Sequence, residues 1–167
     1  MKKTLVSLLL VTGLLFASLH PVAGSSHEVS SPDGHMKVTV NIDDAISWTL
    51  NLNDERIAGP QSVALALEEH GSLGENPVFQ EAFVESRDEV IETEFYKKSE
   101  VPDRYNELHL VFEDHYKVVF RVYNDGMAYR FETSFDDEIV VKNEKAEFVF
   151  PEADEVFVPY IRQPYGR

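Results

Sequence analysis

The sequence predicts an all-β protein built as an antiparallel β-sandwich. In many short runs, apolar and polar residues alternate with a period of two, as in a half-buried strand. These runs recur at spacings of roughly 8–12 residues and are separated by turn residues, a pattern typical of sandwiches and barrels. Beyond the first two dozen residues, no segment shows a helical period of useful length.

Period-two alternation predicts strands over residues 36–42, 46–52 and 63–67 in the first half of the chain. Residues 25–33 are polar and turn-prone, and Ser31-Pro32-Asp33-Gly34 is a turn signal before the first of these strands. Asn53-Asp54-Glu55 predicts a hairpin turn, and Gly59-Pro60 predicts a break before the strand at 63–67. Residues 68–78 form a looser stretch with no strand pattern.

The second half contains the strongest alternation. We expect strands over residues 90–96, 108–112, 116–122, 127–133, 140–141, 148–150 and 156–158, and a loop over residues 97–104. Asn124-Asp125-Gly126 predicts a tight hairpin, because its residues tolerate the positive φ that such a turn requires.

The first residues predict a secretory signal peptide over residues 1–24. Lys2 and Lys3 precede an apolar run over residues 5–19, and Pro21 and three small residues follow before the expected cleavage point after Gly24. An uncleaved membrane anchor is the alternative, but a spanning helix needs about 20 apolar residues. We therefore expect an exported chain, periplasmic or secreted, whose residues 25–167 form one domain.

The composition excludes several classes of partner. The formal net charge is −15, and loss of Lys2 and Lys3 with the leader leaves 13 basic against 30 acidic residues, a charge of −17. Such a charge repels nucleic acid and anionic membranes, so neither is expected as a partner of the processed chain. There is no cysteine, hence no disulfide and no thiolate metal site. Neutral sugars remain suitable ligands.

Four tyrosines are the candidate substrate-binding residues. Tyr96 and Tyr105 flank the predicted loop at 97–104, where an exposed aromatic ring could stack on a sugar, and Tyr160 and Tyr165 lie near the C-terminus. Trp48 could also stack on a sugar, but it is in phase with the apolar residues of its strand, which favours core packing.

No catalytic or metal-binding residue is predicted from spacing alone. His109 and His115 lie on either side of a hairpin with no third ligand nearby, so we expect them to be solvent-facing strand positions. Residues 136–138 are acidic but lack the order of a calcium loop, which favours a solvated turn.

Two arginines of the long hairpin, Arg121 and Arg130, are predicted to form cross-strand ion pairs with Glu113 or Glu132 rather than to bind substrate.

Several segments, in order, resemble the N-terminal domain of glycoside hydrolase family 97. The longest is residues 116–132, Tyr-Lys-Val-Val-Phe-Arg-Val-Tyr-Asn-Asp-Gly-Met-Ala-Tyr-Arg-Phe-Glu. The other segments are Ser31-Pro32-Asp33-Gly34, residues 46–57, residues 59–67, Tyr105-Asn106-Glu107-Leu108 and residues 146–151. Pro102-Asp103-Arg104 departs from the family pattern, which weakens any substrate role for that loop.

The resemblance implies a galactose-mutarotase-like super-sandwich, incomplete at its C-terminus, that packs on a catalytic β/α-barrel absent from this chain. The family consists of exported bacterial α-glucosidases and α-galactosidases with calcium at the active site, so the implied substrate is an oligo- or polysaccharide. The resemblance places the catalytic carboxylates in the barrel and beyond it, and the sandwich's calcium ligand beyond Arg167. It therefore implies that this chain alone is inactive and binds no calcium.

Two other functions are compatible with the residues alone. One is a free-standing exported sandwich that binds carbohydrate without hydrolysing it, and the other is a structural or adhesive surface domain.

Overall fold

The computed structural model describes residues 24–94, 97–151 and 155. Within them the secondary structure is entirely β. The strands are β1 (Ser25–Ser30), β2 (Met36–Ile42), β3 (Ile46–Leu52), β4 (Glu55–Leu67), β5 (Ser72–Leu73), β6 (Phe79–Glu92), β7 (Glu100–Phe112), β8 (Tyr116–Val122), β9 (Met127–Thr133) and β10 (Val141–Ala146).

The strands form two antiparallel sheets. The first has the order β1-β2-β3-β4-β10, with β5 paired to β4, and the second has the order β6-β7-β8-β9. All neighbours pair antiparallel. The predicted antiparallel β-sandwich is therefore confirmed.

The core lies between the sheets and is built from alternate residues of the central strands. Trp48 is 1% exposed and Phe120 is fully buried, and both belong to one continuous apolar cluster. The largest contributions come from four strands: Val38, Val40 and Ile42 of β2, Ile46, Trp48 and Leu50 of β3, Leu108, Leu110 and Phe112 of β7, and Val118, Phe120 and Val122 of β8. Core packing of Trp48, expected from its phase in the strand, is confirmed.

Strand β4 runs through the predicted break at Gly59-Pro60. Its register against β3 shifts between Trp48 and Asn51, so the strand bulges there instead of ending. Gly59 has φ +93, and a Cβ on it would lie 2.6 Å from the carbonyl oxygen of Trp48. Glycine thus allows the close approach that keeps the strand continuous.

Strands β6 and β7 form a long ribbon that the sequence predicted only in part. Residues 79–89 were not expected to be strand, and the loop expected over 97–104 is instead strand from Glu100 onward. Pro102 pairs with Val90, and β8 contacts β7 only from Asn106 onward, so Pro102 lies where β7 has a neighbour on one side only. Proline is tolerated at such an edge because its missing N–H costs no ladder bond there.

Two other expectations need correction, and three fall wholly or mostly outside the described residues. The polar stretch before Ser31 is not a turn, because residues 25–30 form β1 and pair with β2 along its whole length. Residues 148–150 are not strand. Residues 1–23 of the leader, Tyr96 and the predicted strand at 156–158 lie outside the described residues. Along the part of the chain that is described, no helix has the length and apolar character needed to cross a membrane.

The fold predicts that Phe120→Ala is strongly destabilising. The ring is fully buried, so truncation leaves a cavity and should lower the free energy of unfolding by about 3–5 kcal/mol. Val84→Ala, at a position 53% exposed in the neighbouring ribbon, should cost less than about 1 kcal/mol. Urea denaturation of both variants checks the difference, and equal losses would contradict the assignment of Phe120 to the core.

Candidate functional site

A polar cluster is buried on the outer face of the sheet β6-β7-β8-β9. Because strand residues alternate between faces, Leu108 and Leu110 of β7 enter the core while Glu107 and His109 point to the opposite side. Their side chains are only 6% and 7% exposed. Buried charged or titratable groups are uncommon unless they are paired, so this cluster is the strongest candidate site among the described residues.

Glu107 is held by two arginines. It lies directly opposite Arg121 in the pairing of β7 with β8, and its Oε1 accepts a 2.6 Å hydrogen bond from Arg121 Nε and a further contact from Nη2. Arg130 Nη1, from β9, donates to the same oxygen at 3.2 Å. Burial acts to raise the pKa of Glu107, but the hydrogen bonds and charges of Arg121 and Arg130 outweigh it and lower that pKa. Glu107 is therefore a buried carboxylate that stays ionised.

Arg121 is fixed by an aromatic pair as well as by Glu107. Its guanidinium carbon lies 3.9 Å above the Tyr105 ring, and Nη1 donates to the Tyr123 hydroxyl at 3.3 Å. The two tyrosine rings are 5.1 Å apart. Burial acts to lower the pKa of Arg121, but the hydrogen bonds to Tyr123 and Glu107 raise it above its usual value. The arginine is thus a permanent cation locked against the sheet.

His109 contacts carboxylates without forming a regular hydrogen bond. Its ring stacks on Phe83 at 4.6 Å with an interplanar angle of 7°. Nε2 lies 3.3 Å from Oε2 of Glu107 and 3.7 Å from Oε2 of Glu85. Both ring nitrogens are buried, and neither has a hydrogen-bond partner of acceptable geometry. The imidazole therefore has unused ligand capacity next to two carboxylates.

The rim of the cluster is a second charged group. Arg130 Nε donates to Glu132 at 2.6 Å along β9, and Lys117 Nζ lies 2.7 Å from the same carboxyl group. A hydrogen bond from Lys117, together with Arg130, lowers the pKa of Glu132 against the opposing effect of burial. Arg130 does pair with Glu132, but along β9 and not across strands as was predicted. The sequence missed Glu107 as the partner of Arg121.

Of the four predicted site tyrosines, only Tyr105 belongs to the described residues. Tyr105 is 3% exposed and lies within β7, so the exposed loop position expected for it is wrong. Tyr96, Tyr160 and Tyr165 lie outside the described residues. His115 sits in the turn between β7 and β8 with φ 56, while His109 is buried in β7, so His109 is not the solvent-facing residue that was predicted.

The antiparallel two-sheet fold, with its polar face and its apolar core, defines the chain as a β-sandwich module. The family described as glycosyl-hydrolase 97 N-terminal matches residues 29–166. The chain belongs to that family.

A sequence relative and two solved structures are similar to this chain. A retaining alpha-galactosidase from Bacteroides thetaiotaomicron is 34% identical over 134 residues, which are 80% of this chain and 20% of that protein. A crystal structure of a beta-arabinopyranosidase shares the fold with a TM-score of 0.68 at 23% identity, covering 75% of this chain and 21% of the other. A family 97 enzyme from a Pseudoalteromonas species, in complex with panose, has a TM-score of 0.66 at 18% identity. The match covers 75% of this chain and 20% of that enzyme. The chain thus spans about one fifth of the length of these relatives.

The network around Glu107 predicts a stability difference that disappears in acid. Glu107→Gln removes the charged partner of Arg121 and one of the two carboxylates that contact Arg130, and it should lower the free energy of unfolding by about 1–3 kcal/mol at pH 7. Since the folded-state pKa of Glu107 lies below its usual 4.5, the carboxylate stabilises the fold above pH 4.5 and less as the pH falls through the folded-state pKa. The gap between wild type and variant should therefore shrink in acid.

Urea denaturation at neutral and acidic pH measures that gap. Glu132→Gln is the matched control. The side chains of Glu132 and its partner Lys117 are each 33% exposed, so this substitution should lower the free energy of unfolding by less than about 1 kcal/mol. A Glu107→Gln variant as stable as wild type at pH 7, or a gap that does not change with pH, would contradict the network.

Proposed function

We propose that this chain is the N-terminal β-sandwich of an exo-acting α-glycosidase, that it packs on a catalytic β/α-barrel and that it helps to shape the sugar pocket. The observation that carries the proposal is the family match over residues 29–166 of a chain that spans only one fifth of its relatives. The parent enzyme would cleave a terminal α-glycosidic bond of an oligo- or polysaccharide, as the similarity to an alpha-galactosidase supports. The leader over residues 1–24 would direct it out of the cytoplasm.

An exposed apolar strip supports packing on a further domain. Among the described residues β10 is the last strand of its sheet, and next to it lie large apolar side chains that are 41–54% exposed. This β10 strip consists of two groups at the two ends of β10, Val140 and Val141 at its start and Phe148, Val149 and Phe150 beyond its end. Val149 is anchored to β4, because its N–H donates to Gln61 and its carbonyl accepts from Gly59 at 2.8 Å. Apolar edges of this kind are normally covered, and we propose that the rest of the enzyme covers this one.

The three described carboxyl groups whose pKa is clearly shifted are not suited to act as a catalytic acid. Glycoside hydrolysis needs a general acid whose pKa is raised so that it is protonated near neutral pH. The described carboxyl groups with a shifted pKa, Asp33, Glu107 and Glu132, are all shifted downward. They are therefore suited to ion pairs and hydrogen bonds rather than to donating a proton to a leaving group.

The calcium implied by the resemblance does not fit the one group of three candidate metal ligands among the described residues. Calcium takes six to eight oxygen ligands. The one group of three candidate ligands among the described residues, Glu85, Glu107 and His109, includes an imidazole. We therefore propose that calcium, if the parent enzyme uses it, is bound by residues outside this group.

The first test compares hydrolysis by the chain alone with hydrolysis by a longer protein extended along the reading frame. With calcium present, only the longer protein should release nitrophenol from nitrophenyl α-galactoside or α-glucoside. Sugar binding by the short chain without any hydrolysis by the longer one would favour a free-standing binding sandwich. Hydrolysis by the short chain would show that its own carboxylates are catalytic.

The second test concerns the β10 strip. Val141→Thr keeps the side-chain shape and should change the stability of the short chain by less than about 0.5 kcal/mol, because the residue is 51% exposed. In the longer protein the same change should lower the melting temperature and the activity, since the hydroxyl would be buried at the interface. Val90→Thr, 60% exposed in the β6-β7 ribbon, is the control and should be neutral in both proteins. Equal effects of the two variants in the longer protein would contradict this location of the interface.

A further inference from the structure

Three potential metal ligands converge on the outer face of the second sheet. Glu85 of β6 lies opposite Glu107 of β7 in the strand register, and His109 is two residues further along the same face. One donor atom from each of the three residues lies within 4.8 Å of the other two. Two donors bound tetrahedrally to one ion at bonds of about 2.1 Å are separated by about 3.4 Å. The distances from His109 Nε2 to the two carboxylates, 3.3 and 3.7 Å, match that separation.

The histidine supplies an independent observation that points to a ligand. His109 is 95% buried by its neighbours, being only 5% exposed, yet Nε2 has no hydrogen-bond partner. A buried polar nitrogen without a partner is uncommon in folded proteins. This nitrogen is aimed at carboxylate oxygens that lie within contact distance but outside hydrogen-bond geometry. A cation bound between His109 Nε2 and the facing oxygens of Glu85 and Glu107 would give the nitrogen a partner and balance the two carboxylate charges.

We propose that Glu85, Glu107 and His109 bind a divalent transition-metal ion of the Zn²⁺ class. One imidazole nitrogen with two carboxylate oxygens is a donor set suited to zinc and its neighbours. Three protein ligands leave a fourth position open for water or another ligand. Spacing in the sequence predicts no metal site in this chain, because these ligands come together only through the pairing of β6 with β7.

The surrounding residues orient the ligands. Arg121 and Arg130 occupy Oε1 of Glu107 and so leave Oε2 turned towards His109. The stacked Phe83 fixes the plane of the imidazole. Outer contacts of this kind position the ligands of many metal centres. The formal charge of −15 further attracts cations to the chain.

The test is a titration of the protein with ZnCl₂ after removal of metals with a chelator. Isothermal titration calorimetry should show one saturable equivalent, and Co²⁺ added in place of Zn²⁺ should give the visible absorption bands of a low-symmetry site. Glu85→Gln and His109→Gln should each weaken this binding at least tenfold. The side chain of Glu85 is 60% exposed, so the Glu85→Gln variant should remain folded even if the His109→Gln variant does not.

His70→Gln is the matched control. Like His109, His70 stacks on a phenylalanine, at 4.0 Å, and lies beside a carboxylate, Asp137, at 3.1 Å, but it has no second carboxylate partner among the described residues. The His70→Gln variant should bind Zn²⁺ as tightly as wild type does. The proposal would be overturned if wild type bound no saturable equivalent of metal, or if both site variants bound it as wild type does. It would also be overturned if His70→Gln weakened binding as much as the site variants do.

Discussion

The alternation of side chains along β7 is the constraint on which the rest of the structure depends. The strand lies between β6 and β8, and its two faces have opposite characters. Leu108, Leu110 and Phe112 complete the core, while Glu107 and His109 form the polar face. A slip of one residue in its pairing would drive a carboxylate and an imidazole into the apolar core and expose three large apolar side chains. The register of β7 therefore fixes both the sandwich and the cluster on its outer surface.

Much of the fold could be predicted from the sequence because strand periodicity is a local property. Strands β2, β3, β8 and β9 have the predicted bounds. The predictions failed where tertiary pairing overrides local signals. Pro102 and Gly59-Pro60 resemble strand breaks, yet both lie within strands. Pro102 lies where β7 pairs with β6 only, and Gly59-Pro60 lies at a bulge of β4. Strand β1 is polar and is held by pairing with β2, which no pattern within residues 25–30 indicates.

The cluster around Glu107 could be predicted less well than the fold. Alternation correctly assigns Glu107 and His109 to the face away from the core, and on that basis alone both would be expected to face solvent. Their burial depends on side chains from three other strands: Phe83 on β6, Arg121 on β8 and Arg130 on β9. These residues are 14 to 26 positions away in sequence, and only the order and register of the sheet bring them together. Pairing of Arg121 with a carboxylate could be foreseen, but not which carboxylate.

The register of β7 against β8 can be measured directly by nuclear Overhauser effects in the isotopically labelled chain. The structure pairs Glu107 with Arg121 and His109 with Val119, so the spectra should contain cross-strand backbone contacts between the residues of each pair. They should also contain contacts between the side chains of Leu108 and Phe120 on the core face. Contacts that pair Glu107 with Phe120 or Val122 instead would place the polar face in the core, and would contradict the account of both the fold and the cluster.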